Sequence, residues 1–130
     1  MDAGYDDRPS ISSKPGSIYH TGFPQPLPKE AHSIYRHAIY GVWRELGVKI
    51  FKYFDSIGLK WTSINPAIRF VADGQEPSPP FILVGVLPGT LTADDAKAPA
   101  AHCKELLSEY GITDVEIAFR EFAPTRRFGL

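Results

Sequence analysis

Residues Phe81 to Phe122 constrain the fold of this chain more than any other stretch. The run Phe81-Ile82-Leu83-Val84-Gly85-Val86-Leu87 is apolar on both faces, as a strand is when it lies centrally in a sheet and is covered on both sides. A Pro88-Gly89 turn follows it. Thr92, three residues before Asp95, then matches a capping-box pattern that satisfies free N–H groups at a helix start. Ala96, Ala100, Cys103, Leu107 and Tyr110 recur at intervals of three and four, one apolar stripe of a helix. Gly111 stands where a helix C-cap belongs, and Val115 to Phe122 reads as a return strand. A strand–helix–strand order of this kind predicts two parallel strands joined by a right-handed crossover.

With 130 residues and 43% hydrophobic content, the chain has material for one domain with a core. Its formal net charge of −1 argues against nucleic acid or an anionic membrane as a partner. A single cysteine forms no internal disulfide, which suits a reducing, cytoplasmic compartment. Phe81–Leu87 is too short to span a bilayer, and the acidic start Met1-Asp2-Ala3-Gly4-Tyr5-Asp6-Asp7 lacks the apolar core of a secretory signal.

Residues 1–28 hold Pro9, Pro15, Pro24, Pro26 and Pro28 among serines and glycines, and read as a disordered arm whose removal leaves the domain intact. Pro24-Gln25-Pro26-Leu27-Pro28 has the makings of a polyproline II ligand, but a spacer explains it more simply. Helical spacing then runs from Ile34 through Tyr35, Ala38, Ile39, Val42, Trp43, Leu46, Ile50 and Phe54 to Ile57, with Gly58 as C-cap and Gly47 as the expected bend. Two short strands follow, Lys60–Ile64 and Ile68–Ala72, separated by a break or bulge at Asn65-Pro66 and simplest to connect as an antiparallel pair. Residues 73–80 form a loop, and residues 123–130 a loose tail. The fold class is α+β: a domain over residues 29–122 with a mixed three- to four-stranded sheet, one right-handed β-α-β unit and two main helices packed on it.

Few side chains suggest chemistry. His32 and His37 are five apart and point to different sides of a helix. His102 shares a helical face with Glu105 and Glu109, yet three ligands with no fourth make a weak metal site, and a solvated face accounts for them. Cys103 lies on the apolar stripe, where a thiol is buried and inert. The turn at Pro88-Gly89 precedes a helix start and so invites a phosphate, but Asp94 and Asp95 in the first turn repel one. No catalytic residue, metal or cofactor is therefore expected. Arg120, Arg126 and Arg127 give too small a basic end for nucleic acid.

Lys60-Trp61-Thr62-Ser63-Ile64, Gly85–Leu91, Asp95-Ala96-Lys97, Cys103–Leu107, Phe51–Gly58 and Ile112–Glu121, with Asp114–Glu121 as the distinctive motif, resemble a group of uncharacterised mushroom (basidiomycete) proteins over roughly residues 40–122. Longer members of that group carry a C-terminal region similar to a trypsin-type protease or pseudo-protease. No counterpart of that region lies in these 130 residues. The resemblance implies a fungal source and an accessory module rather than a reaction.

Three classes of function follow. The first is a non-catalytic binding or regulatory module, pro-domain-like or inhibitor-like toward a protease-type partner. Val115, Ile117 and Phe119 alternate with Glu116, Ala118 and Arg120, the pattern of a half-covered strand near a sheet edge. Partner contact is thus expected at Arg120, Phe122, Arg126, Arg127 and Phe128, residue types common among interface anchors. The second is a small ligand binder or enzyme with a pocket between the long helix and the sheet, lined by Trp43, Tyr53, Trp61 and Arg69. The third is a homo-oligomer formed through a sheet edge.

Overall fold

A computed structural model describes residues 16–122 and, as backbone alone, 127–128. The first helix, α1 (Ile39–Ser56), buries Ile39, Trp43, Leu46, Ile50 and Phe54, a stripe at helical intervals. The second, α2 (Ala93–Glu109), buries Ala96, Ala100, Cys103 and Leu107 as the sequence pattern predicts, with Pro99 also inside. At its start the Thr92 hydroxyl accepts the Asp95 N–H at 3.1 Å. Both helices end in the same way. Ile112 and Leu59 donate backward to Leu107 and Phe54, and Gly111 and Gly58 donate to Ser108 and Asp55. Each glycine has φ +74°, so both ends are Schellman motifs with glycine in the left-handed region.

The strands are β1 (Ser17–His20), β2 (Glu30–Ser33), β3 (Trp61–Val71), β4 (Phe81–Val86), β5 (Glu116–Glu121) and β6 (Arg127–Phe128). They form one mixed sheet in the order β1-β5-β4-β3-β2, with β6 also pairing β3. Parallel β4 and β5 are joined through α2, while β1–β5, β2–β3 and β3–β4 are antiparallel. β4 is buried at all six positions, as an apolar run on both faces requires.

Both helices cover one face of this sheet, over Ile64, Ile82, Val84, Val86, Ile117 and Phe119. A smaller cluster of Phe70, Phe81, Leu83 and Ala118 lies apart from it, packed against Phe23, Leu27, Ile68 and Phe122. The segment carrying Phe23 and Leu27 is tied down by polar contacts. His20 Nε2 donates to the carbonyls of Phe23 and Gln25, and Arg120 donates to the Pro28 carbonyl.

The fold is therefore α+β with a mixed sheet and two helices, but the sheet is larger than three or four strands. β1 and the cover at Phe23 and Leu27 lie in the segment read as an arm, of which residues 1–15 fall outside the described residues. Of the tail read as loose, residues 127–128 pair with Ser63 and Ile64. Helical spacing misassigns Glu30–Ser33, which forms β2 against β3, and α1 starts only at Ile39. The helix runs unbroken through Gly47, which is buried. The expected pair of short strands is the single strand β3, and the Asn65-Pro66 signal survives as a register shift between Asn65 and Ile68. β5 is not at an edge: β4 and β1 flank it.

Candidate functional site

Of the four residues expected to line a pocket between helix and sheet, Trp61 lines a cleft. Trp43 is in the core beneath α1. Tyr53 stacks on His102 at 3.8 Å between ring centroids, joining α1 to α2, and burial raises its hydroxyl pKa above the ordinary value, with Cys103 and Glu105 adding to the shift. Arg69 sits on β3 opposite His32 of β2, with a buried Nε that has no hydrogen-bond partner.

The cleft at Trp61 has a volume of about 460 Å³ and lies where the C-terminal end of α1, the start of β3 and the end of β4 meet. Asp55, Lys60, Thr62 and Leu87 line it together with Trp61. The Trp61 indole N–H donates to Asp55 Oδ1 at 2.9 Å, which holds the ring at the rim. The Thr62 hydroxyl is buried without a hydrogen-bond partner. A carboxylate, an ammonium and an indole suit recognition of a polar group flanked by apolar surface. They do not form a nucleophile with a neighbouring base. Asp55, Lys60 and Leu87 were not singled out by sequence; the signal available was the juxtaposition of a C-cap glycine with a strand start.

The expected partner-contact residues divide differently. Arg120 is half-buried, with its guanidinium 4.9 Å from the Phe70 ring centroid and a hydrogen bond to Pro28, and burial lowers its pKa from the ordinary value. Phe122 packs in the smaller cluster. Arg126 lies outside the described residues, and Arg127 and Phe128 are placed as the backbone of β6.

Other polar constellations are already engaged within the fold. His37 Nδ1 accepts the Ile39 N–H at 3.0 Å, so Nε2 carries the proton and donates to Asp114 at 2.8 Å. Both nitrogens are committed to starting α1 and tying it to the approach to β5, and no lone pair is left for base catalysis. At the Pro88-Gly89 turn the Gly89 N–H donates to Glu121 Oε2 at 2.8 Å, so a carboxylate of the chain itself occupies the position a phosphate would need. Cys103 is fully buried, and burial pushes its thiol up to about 12. Lys104 and Thr21 both bond Glu116 Oε1, at 3.0 and 2.6 Å. Among the described residues no three His, Cys, Asp or Glu side chains converge as a metal site requires, and no helix is long and apolar enough to cross a membrane.

No family model, curated protein or solved structure matches this chain.

Proposed function

We propose that this chain is a non-catalytic, protein-binding module that accepts an extended segment as an added strand along β3. One observation carries the reading. β3 is eleven residues long, β2 pairs only Ile68 to Val71, and the N-terminal half of β3 takes the two-residue β6, in parallel, at Ser63 and Ile64. Strand addition gains affinity from main-chain hydrogen bonds, so a short internal strand is an occupant that a longer partner segment can replace. In this reading Arg126, Arg127 and Phe128 belong to the exchanging strand, while Arg120 and Phe122 anchor its root. The resemblance to the basidiomycete group makes a protease-type protein in the cytoplasm the partner of choice, with this chain acting as a pro-domain-like or inhibitor-like element. We also read the β4–α2–β5 crossover as right-handed, the hand such connections take.

The test uses the isotopically labelled chain truncated after Phe122 and a synthetic peptide of residues 121–130. The peptide is expected to shift the backbone amides from Trp61 to Asn65 in the truncated chain and to leave the full chain unaffected. Amide shifts elsewhere, or none, would remove the strand-exchange site. A second reading, a small-ligand binder, rests on the Trp61 cleft, whose volume falls within the size range of ligand sites. It predicts quenching of Trp61 fluorescence by the ligand and loss of that signal in Lys60→Ala.

A further inference from the structure

Farther along the flank of β3 that also takes β6, β2 presents an edge whose backbone parity is fixed by its neighbours. Phe70, opposite Ala31, exchanges backbone bonds with Ser78 instead: its N–H donates to the Ser78 hydroxyl and its carbonyl accepts the Ser78 N–H. Ile34 donates to Ala67. Residues 30, 32 and 34 therefore turn their backbone groups toward β3, and Ala31 and Ser33 turn theirs outward, because antiparallel ladders alternate in this way. All four residues of β2 are exposed, with no strand beyond them among the described residues.

We propose that two copies of this chain pair antiparallel through β2, with Ala31 opposite Ala31 of the second copy. A two-fold axis at this position lets the two Ala31 residues exchange both of their outward bonds, and it aligns Lys29 with Ser33 as the next bonded pairs. Glu30 then faces His32 of the second copy in the closely spaced, non-bonded positions, twice over. The side chains suit that pairing: Glu30 and His32 already meet within one strand at 2.8 Å, both largely exposed. Shifting the register by one residue would set outward groups against inward ones. Shifting it by two would place His32 against His32. The small Ala31 side chain leaves the centre free of steric conflict, and Tyr35, 85% exposed just beyond the strand, lies beside the joined edges. The occupant is thus a second copy, joining two sheets into one through the edge that an isolated chain leaves open.

Sedimentation equilibrium of the full chain up to about 1 mM, the weak end of specific association, tests this. A monomer–dimer equilibrium is expected. Ala31→Pro removes an outward N–H that β3 does not use, and should raise the dimer Kd by at least about tenfold with unchanged thermal unfolding. Glu30→Lys should weaken the dimer, and Glu30→Lys combined with His32→Glu should restore it. If Ala31→Pro disturbs folding, the charge-exchange pair decides alone. A chain monomeric throughout, a Kd insensitive to a folded Ala31→Pro variant, or a double variant no tighter than the single one would each overturn the proposal. Truncation after Phe122 should leave the dimer unchanged, which separates this surface from strand exchange at β3.

Discussion

Phe122 lies against the bare Cα of Gly85: a Cβ at Gly85 would sit 2.5 Å from Phe122 Cδ2 and 2.6 Å from the Ser63 hydroxyl. The glycine that interrupts the apolar run of β4 is therefore a seat for the ring that follows β5. Gly85→Ala should destabilise the fold by about 1–3 kcal/mol, since the ring and Ser63 must both move. Phe122→Ala should relieve the Gly85→Ala penalty, so the double variant should be more stable than the sum of the single effects implies. Urea melts of the four proteins check this.

Thr21 joins the β1 side of the sheet to β5 through both of its hydroxyl functions. Its hydroxyl donates to Glu116 and accepts the Ile117 N–H at 3.0 Å. Thr21→Val keeps the shape and leaves a backbone donor and a carboxylate short of partners, so a loss of about 1–3 kcal/mol is expected. Deleting residues 1–28 should cost far more, because it removes β1, Phe23 and Leu27 from the sheet. Differential scanning calorimetry of the variant and the deletion separates the two magnitudes.

Gly58 and Gly111 meet nothing within 4 Å where a Cβ would stand, yet both have φ +74°. Alanine at either site should therefore cost only the backbone penalty of the left-handed region, about 1–2 kcal/mol. The two values should agree, since both helices close on the same motif. Gly22→Ala should cost more, because at φ +66° its Cβ would also overlap the Glu116 carboxylate. Thermal unfolding of the three single variants gives the ranking.

Cys103 links pH to stability. Its thiol pKa rises from 9.0 to about 12 in the fold because burial disfavours the thiolate. The unfolded chain releases this proton first, so the stabilisation is complete below pH 9 and is lost as pH rises toward 12. Cys103→Ala should flatten that decline in denaturant midpoints. In the native protein, thiol labelling at neutral pH should proceed only as fast as unfolding. Cys103→Ser should fold with a loss of about 1–2 kcal/mol, from a hydroxyl placed where a thiol packs.

Where the sequence carried a strong local pattern, the fold could be read from it. Thr92, the stripe from Ala96 to Leu107, and Gly111 each act as their spacing indicates, and the uninterrupted apolar run marks β4 as central. β1 escaped because Ser17-Ile18-Tyr19-His20 has little alternation of its own; it exists by pairing with β5, a long-range interaction that no local window contains. β2 escaped because Ile34, Tyr35 and Ala38 extend the helical spacing of α1 backward past its actual start, where His37 receives the Ile39 N–H. The Trp61 cleft sets the stretch from Asp55 to Thr62 against Leu87, which is distant in sequence, so Asp55 and Leu87 carried no shared signal. Trp43 was misplaced for a simpler reason: it is apolar and periodic, and those same properties put it in the core.

The bond between Thr21 and Glu116 closes a loop of 95 residues. On a ribosome, Thr21 emerges early and waits for almost the entire domain before its partner appears. Until then the helices and β3–β4 can assemble, but β4 lacks its parallel neighbour and β1 has nothing to pair with. Synthesis of β5 is thus the event that gives both β4 and β1 their partner, and slowing translation before Val115 would prolong the interval in which β4 stays open to other chains.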